Sequence, residues 1–336
     1  MPKTDWQEKS DPGEAQRFES YAEQLRGLQR KRAHGGTPDR ALHAKGQLAA
    51  LGEFTVLPDL PPHARAGLFG SPQTFRALVR YSNGSGSRQD DRKPDVRGIA
   101  VKLVGVPGKK VIPGMEDAKT QDFLLIRSPS TPFRSADEFV PFVMAATSPL
   151  TGLPKVIGKL GFGRTVQIIK SAVKQFGLPV RPLASTNYFS AVPIRFGAYA
   201  VRYALRPVAA DTGASKSSSA DYLGDELAMR LRTQAVNYEF QLQFFEDETS
   251  TPIEDASVDW SSPYVTVARL TLPAQDVSSG RGKRVAALVE KLSFDPWHAQ
   301  EELRPLGNIM RARNAAYRLS TQERKATPEP DGSELP

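Results

Sequence analysis

Two side chains near the C-terminus have the types and spacing of a metal ligand and its electrostatic partner. Arg313 and Tyr317 lie four residues apart in the segment 308–318, whose apolar spacing predicts a helix, so they share one helical face. A guanidinium beside a phenol favours the phenolate, because an opposite charge stabilises the charged form. A phenolate oxygen suits ferric iron, and haem can be held in this way. Taken alone, the pair is also typical of arginine stacking on a surface tyrosine.

The composition excludes several other kinds of site. The 336 residues include no cysteine, which excludes disulfides, thiol nucleophiles and thiolate metal sites. The longest apolar stretch, 139–146, is far shorter than the roughly 20 residues of a membrane span. The formal charge is +8, but the basic run 26–32 lacks interleaved aromatic residues and is more typical of a solvated helix end than of a nucleic-acid surface. The histidines lack the spacing of a zinc site; they are His34, His43, His63 and His298.

The periodicity predicts an α+β fold with many antiparallel strands and with helices inserted among them and after them. Helices are expected at 14–32, from a capping box at Ser135, at 165–176, at 284–292 and at 308–318. Strands are expected at 53–57, 78–82, 98–106, 123–127, 199–205, 236–244 and 264–272. We expect one domain over residues 1–324, with 1–13 a loose arm, 209–220 a mobile loop and 325–336 a disordered tail.

Five further segments carry short motifs, and the order of these motifs along the chain is informative. They are Arg40–Gly46 ending in His-Ala-Lys-Gly, Arg80-Tyr81-Ser82, Arg97–Leu103 (RGIAVKL), Leu124–Arg127 (LLIR), and Phe294-Asp295-Pro296 followed by Arg313–Tyr317 (RNAAY). This order resembles the catalase family, with its Arg-Phe-Ser, Arg-Gly-Phe-Ala-Val-Lys-Phe, Phe-Phe-Ile-Arg and Arg-Leu-Phe-Ala-Tyr. The resemblance covers about residues 40–324 and is weakest at about 150–230. It implies a catalase-type antiparallel β-barrel surrounded by helices, with bound haem b.

The resemblance also implies a role for each matching residue. Tyr317 would be the proximal iron ligand, and Arg313 would keep it deprotonated. His43 would be the distal acid–base residue, oriented by Ser82. The haem propionates would be bound by Arg40, Arg80 and Arg324. The aromatic residue packed on the haem ring would be Phe133, which is offset by one residue from its position in the family.

Besides having Thr321-Gln322-Glu323 in place of the family's His-Arg-His, the sequence departs from the family pattern at two further places. The family's Gly-Asn-Asn-Thr-Pro run aligns with Ala118–Asp122, which lacks the distal asparagine, and Thr120 or Gln121 is the candidate substitute. The sequence ends soon after Arg324, and we expect the helical, NADPH-binding region that follows the barrel in larger catalases to be missing. Both departures resemble the small catalase-related haem peroxidases.

The resemblance therefore implies a haem peroxidase that reduces hydrogen peroxide or organic hydroperoxides with a small electron donor. Three alternatives stay open: a small monofunctional catalase, a hydroperoxide isomerase of the allene oxide synthase type, and a haem-binding protein without turnover. A reading without haem would leave His43 as a core histidine and Tyr317 as a packing residue. We expect a cytoplasmic homo-oligomer, a dimer or tetramer, with no nucleic-acid or membrane partner.

Overall fold

The computed structural model describes residues 1–33, 36, 38–147, 149–178, 180–208 and 218–336. His34 and most of the predicted loop 209–220 lie outside these residues. The helices are α1 (Glu14–Arg32), α2 (Ala136–Ala146), α3 (Pro149–Leu160), α4 (Phe162–Phe176), α5 (Tyr222–Thr233), α6 (Gly280–Lys291) and α7 (Asn308–Arg324). The strands are β1 (Gly46–Val56), β2 (Thr74–Asn83), β3 (Arg97–Val104), β4 (Thr120–Ile126), β5 (Tyr188–Phe189), β6 (Ile194–Phe196), β7 (Tyr199–Pro207), β8 (Val236–Phe244) and β9 (Tyr264–Leu272).

Eight strands close into an antiparallel barrel. Their hydrogen-bonded order is β1, β2, β3, β4, β5, β7, β8, β9 and back to β1, while β6 forms a hairpin with β7. Closure leaves few free strand edges, which protects the sheet from pairing with other chains. The expected α+β class, with a barrel and surrounding helices, is confirmed.

Aromatic side chains fill the inside of the barrel. The rings of Phe54 and Phe123 lie 6.0 Å apart, Phe123 lies 4.9 Å from Phe240, and Tyr203 stacks on Phe240 at 5.5 Å. All four side chains are buried. In a small barrel the inward residues of each strand fill the interior, so this space is a packed core.

Helices α1 and α7 lie side by side and run parallel. Glu14, at the start of α1, pairs with Arg311 near the start of α7 at 2.6 Å. Arg30, near the end of α1, pairs with Glu323 near the end of α7, also at 2.6 Å. These contacts fix the position of the helix that carries Tyr317.

Both chain ends make contacts with the body, which differs from the loose arm and disordered tail that the local composition predicts. In the arm, Trp6 Nε1 donates a hydrogen bond to the Ala198 carbonyl at 2.9 Å. In the tail, Glu329 accepts a hydrogen bond from Thr120 Oγ1 at 2.6 Å, and Leu335 is buried. Local composition did not reveal this order, because distant parts of the chain supply the anchoring groups.

The capping box predicted at Ser135 does not form. Ser135 precedes α2, but its side chain makes no capping hydrogen bond. Glu138 forms an ion pair with Arg164 of α4 at 2.6 Å and accepts a hydrogen bond from the Arg134 amide at 2.8 Å. The local pattern assigns the Glu138 carboxylate to the cap, but the carboxylate instead forms a charge-assisted hydrogen bond with Arg164 on another helix.

The sequence aligns four apolar residues on one face of α4, but the helix is not oriented with that face buried; the residues are Val166, Ile169, Val173 and Phe176. Ile169, Val173 and Phe176 are exposed, whereas Ile168 and Ala172 are buried against the protein. The helix is therefore apolar over a wide arc, and only part of that arc is covered.

Candidate functional site

A cavity of about 900 Å³ lies between strands β2, β3 and β4 and helices α1, α2, α4 and α7. This volume falls in the range of sites that enclose a large ligand. Eight of the ten residues singled out from the sequence line it: Arg40, His43, Arg80, Ser82, Phe133, Arg313, Tyr317 and Arg324. Residues from both ends of the chain thus meet in one space.

The backbone holds His43 in an uncommon conformation. His43 has φ +56°, in the left-handed region that non-glycine residues rarely adopt, and its amide donates to the Gly84 carbonyl at 3.1 Å. Its Nδ1 lies 2.9 Å from Ser82 Oγ on β2. When Nδ1 donates this bond, Nε2 keeps a free lone pair.

The environment of His43 disfavours its protonation. Burial lowers the pKa of His43 to about 3, and the nearby guanidinium groups of Arg80, Arg313 and Arg40 act in the same direction. A charge in this position would be both desolvated and repelled. The imidazole is therefore neutral at physiological pH and available as a base.

Gly98 on β3 leaves room for the imidazole ring. A Cβ atom at this position would lie 2.8 Å from His43 Cε1, closer than carbon atoms can approach. Glycine permits such close approach because it has no side chain. The glycine of the Arg97-Gly98 motif is thus explained by contact with the histidine.

Tyr317 and Arg313 form the pair that their spacing predicts. Arg313 Nη2 donates to Tyr317 Oη at 2.9 Å, and the guanidinium carbon lies 5.1 Å from the centre of the ring. Burial alone would lower the pKa of Arg313, but interaction with Tyr317 outweighs it and the net shift is upward. The arginine is therefore a permanent cation directed at the phenol oxygen.

Three arginines gather with one carboxylate at another part of the cavity. Glu290 accepts hydrogen bonds from Arg40 Nη1 at 2.8 Å and from Arg80 Nε at 3.4 Å. Arg324 donates to the Leu292 carbonyl at 2.9 Å. Burial, helped by Arg40, lowers the pKa of Arg80 to about 9 and that of Arg324 to about 10.

This cluster has more positive than negative charge. Glu290 pairs with the guanidinium groups of Arg40 and Arg80, whereas Arg324 donates to the backbone carbonyls of Glu290 and Leu292. Burial lowers the pKa of Arg40 as well. A ligand with two carboxylates would balance the excess. The donor set therefore fits the two propionates of haem.

Phe133 belongs to an aromatic group on the α2 side of the cavity. Its ring centre is 5.2 Å from that of Phe139 and 5.3 Å from that of Phe142. All three residues line the cavity. This wall is suited to packing against a flat apolar ring.

The structure does not place Thr120 or Gln121 at the cavity, so the expectation for the distal polar residue is wrong in position. Thr120 Oγ1 donates to Glu329, and Gln121 Oε1 accepts from the Gln300 amide at 2.9 Å. The cavity meets β4 at its opposite end, through Leu124–Ile126. At about 3.3 Å per residue, Thr120 is roughly 13 Å from that point along the strand.

The sequence did not single out two groups of residues. One is Glu290, whose role depends on arginines from distant segments. The other is a buried cluster in which Lys102 Nζ lies 2.7 Å from Asp122, 3.3 Å from His298 Nδ1 and beside Glu329. Among the described residues, these three partners have the spacing of a metal site, but the ammonium group already supplies the cation.

Comparisons with known proteins agree with this geometry. Residues 19–110 match the model of the catalase family. A catalase-related peroxidase from Mycolicibacterium paratuberculosis (strain ATCC BAA-968 / K-10) is 32% identical over 303 residues, covering 85% of this chain and 88% of the relative. A bacterial catalase superposes with a TM-score of 0.63 at 18% identity, covering 91% of this chain and 60% of the catalase. A fungal catalase also has a TM-score of 0.63 at 18% identity, covering 87% and 61%.

The barrel and its enclosed site define a peroxide-handling oxidoreductase with the catalase-type fold. The chain belongs to the catalase family. It spans about 60% of the length of the two solved catalases and most of the length of the catalase-related peroxidase.

Proposed function

We propose that the protein is a haem-dependent peroxidase that reduces hydrogen peroxide or organic hydroperoxides with a small electron donor. One observation carries the proposal: a single cavity contains both His43, fixed by Ser82, and Tyr317, fixed by Arg313. At ferric haem a neutral base can move the proton of a peroxide, and a tyrosine oxygen can hold the iron, as it does in catalase.

The residues that would hold haem b follow from the charges and surfaces of the cavity. Tyr317 would bind the iron, and Arg40, Arg80 and Arg324 would bind the propionates. Phe133 would pack against the macrocycle. When bound, haem supplies the electron-transfer chemistry by which the peroxide O–O bond is reduced.

The protein's own contribution is to control one proton. His43 Nε2 can take the proton from the incoming hydroperoxide, because the low pKa of the imidazole keeps it neutral. The same group can return that proton to the departing oxygen, which leaves as water or alcohol. With Ser82 Oγ accepting a hydrogen bond from Nδ1, the ring would be in the tautomer that the first transfer needs, with Nε2 unprotonated.

The wall of the cavity at β4 supports a peroxidase over a true catalase. Leu124–Ile126, the part of β4 that lines the cavity, offer no polar side chain that could orient a second hydrogen peroxide. A misplaced reactant can cost about 10²-fold in rate. Oxidation of an external donor does not depend on that second position.

Oxygen release and donor oxidation can be compared on one haem-loaded sample. We expect slow oxygen evolution from hydrogen peroxide, faster oxidation of a guaiacol-type donor, and turnover of bulky hydroperoxides such as cumene hydroperoxide. Oxygen evolution that greatly exceeds donor oxidation would favour the catalase alternative. Rearrangement of an organic hydroperoxide without donor consumption would favour the isomerase.

A further inference from the structure

Helices α3 and α4 and the turn that follows them carry an uncovered apolar surface, which we call the helical patch (residues 149–178). Leu150 is 94% exposed, Phe162 71% and Val173 65%. Of the ten large apolar side chains found exposed among the described residues, seven belong to this patch: Leu150, Leu153, Phe162, Ile169, Val173, Phe176 and Leu178. Such clustering marks a surface that is covered in use.

The exposed residues of α4 form one stripe rather than a scatter. Phe162, Ile169, Val173 and Phe176 are separated by seven, four and three residues, the spacing of a single helical face. Polar contacts fix the rotation of the helix. Arg164 pairs with Glu138 of α2, and at the other end the Gln175 carbonyl accepts a hydrogen bond from Arg127 at 2.8 Å. The stripe therefore cannot turn inward without breaking both contacts.

The patch and its surroundings are strongly basic. Residues 139–208 contain no aspartate or glutamate. The segment 149–181 contains six basic residues: Lys155, Lys159, Arg164, Lys170, Lys174 and Arg181. Lys170 and Lys174 are exposed on α4 beside the apolar stripe. An exposed apolar stripe bordered by lysines is the pattern of a helix that lies in the interface of an anionic membrane.

We propose that the helical patch docks this protein peripherally on an anionic lipid bilayer. The apolar stripe would enter the boundary between headgroups and acyl chains, and the lysines would lie at the level of the lipid phosphates. No helix in the described parts of the chain is long and apolar enough to cross a bilayer. The contact would thus be a surface association, and it departs from the expectation of no membrane partner.

The charge favours a bilayer over a second copy of the chain. In a two-fold dimer the same patch meets itself. Lys170 and Lys174 would then lie close to their own copies, with no acidic residue of the segment 139–208 to balance them. Like charges brought together across an interface oppose association. Anionic headgroups supply the missing charge.

The patch also adjoins the cavity. Ala172, Gln175 and Phe176 of α4 line it, and Phe176 is at the same time 42% exposed in the apolar stripe. Docking would bring the α4 wall of the cavity against the bilayer. The proposal does not depend on haem binding or on peroxidase activity, so it can be tested separately from both.

Sedimentation of the purified full chain with large unilamellar vesicles tests the proposal. Vesicles of phosphatidylcholine alone are compared with vesicles that contain about one-third phosphatidylserine, at low and at high salt. Lys170→Gln combined with Lys174→Gln removes charge, and Phe162→Ser combined with Val173→Ser removes exposed apolar surface. The matched controls are Lys283→Gln on α6 and Met229→Ser on α5, both exposed and both outside the patch.

We expect binding to the anionic vesicles that weakens with salt. At about fivefold per lysine, the charge variant should bind roughly 25-fold more weakly. The apolar variant should lose at least about tenfold, while both controls bind like the unchanged chain. Equal binding to the two kinds of vesicle, or equal binding by all variants, would overturn the proposal. So would a solution mass that falls when the patch is substituted in the absence of lipid, because that result would identify the patch as an interface between copies.

Discussion

At the scale of single residues, the neutral state of His43 has a consequence for pH dependence. For an ordinary histidine with a pKa near 6.5, the neutral fraction at pH 5 is only about one-thirtieth. Because the pKa of His43 is lowered to about 3, its neutral form persists down to about pH 4. We expect the rate of reaction with peroxide to be nearly constant between pH 5 and 8, measured by stopped-flow absorbance. A fall that follows a group near pH 6.5 would contradict the assigned environment.

Replacing His43 tests its role directly. His43→Ala should lower the rate of reaction with peroxide by about 10²–10⁴-fold, the usual contribution of a general acid–base residue. Haem content should be unchanged, because the residues expected to hold haem remain. Ser82→Ala should have a smaller effect, since it removes only the group that orients the ring. A wild-type rate in His43→Ala would exclude the proton-transfer role.

Gly98 offers a test of ring position without altering the histidine. In Gly98→Ala the new Cβ would lie 2.8 Å from His43 Cε1, so the ring must move. A displacement of about 1 Å can cost about 10²-fold in rate. The matched control is Gly27→Ala in α1, where an added Cβ meets nothing within 4 Å. Equal peroxide kinetics in the two variants would show that the contact does not fix the ring.

At the scale of elements, the buried Lys102 cluster connects β3, β4 and the C-terminal tail. Lys102→Met would leave the carboxylates of Asp122 and Glu329 without their cation. Breaking a buried ion pair from one side costs about 3–5 kcal/mol of unfolding free energy. We expect a loss of that size in urea unfolding, and less than about 0.5 kcal/mol for the exposed control Lys283→Met. A loss as small as that of the control would mean that the cluster contributes nothing to stability.

His298 makes the same cluster sensitive to pH. Burial and Lys102 lower the pKa of His298, but Asp122 and Glu329 outweigh them and the net shift is upward. A raised folded pKa gives stability that is complete below the unfolded pKa of about 6.5 and is lost as pH rises through the folded pKa. The unfolding free energy of the native chain should thus fall more between pH 6 and 9 than that of His298→Gln. Parallel curves would exclude this contribution.

At the scale of the whole molecule, haem links the barrel to the helices. A ligand that binds only the folded state raises the free energy of unfolding by an amount that grows with the logarithm of its affinity. Haem removal should therefore lower the free energy of unfolding, and Arg324→Ala should reduce the difference between the haem-loaded and haem-free forms by about 1.5–3 kcal/mol. Arg324→Lys should recover only part of it, because the bidentate geometry is lost. The control is Arg318→Ala, which removes an exposed ion pair with Glu19.

Comparing haem-loaded with haem-free protein separates ligand binding from packing. Arg324 also holds the Leu292 carbonyl after α6, so its replacement destabilises both forms. Only the difference between the two forms reports the interaction with haem. The free-energy difference between the two forms should be measured in Arg324→Ala, Arg40→Ala and Arg80→Ala. If it is unchanged in all three variants, these arginines bind only the protein.

Much of this architecture could be predicted from the sequence, and the exceptions share a physical cause. The alternating strands and the His43, Ser82 and Tyr317 motifs are local patterns, and they identified both the barrel and the residues of the cavity. Thr120 and Gln121 were misplaced because the alignment did not show where the cavity meets β4. Glu290 and the ordered tail depend on partners far along the chain, which local patterns do not encode.

The ferric absorption spectrum of Tyr317→Phe tests the central claim most directly. The substitution removes the oxygen proposed to bind iron and keeps the ring. We expect loss of haem or a changed ferric spectrum, whereas Tyr264→Phe on β9, outside the cavity, keeps the spectrum of the unchanged protein. A Tyr317→Phe protein with full haem content and an unaltered spectrum would mean that the iron is held elsewhere, contradicting the proposed site.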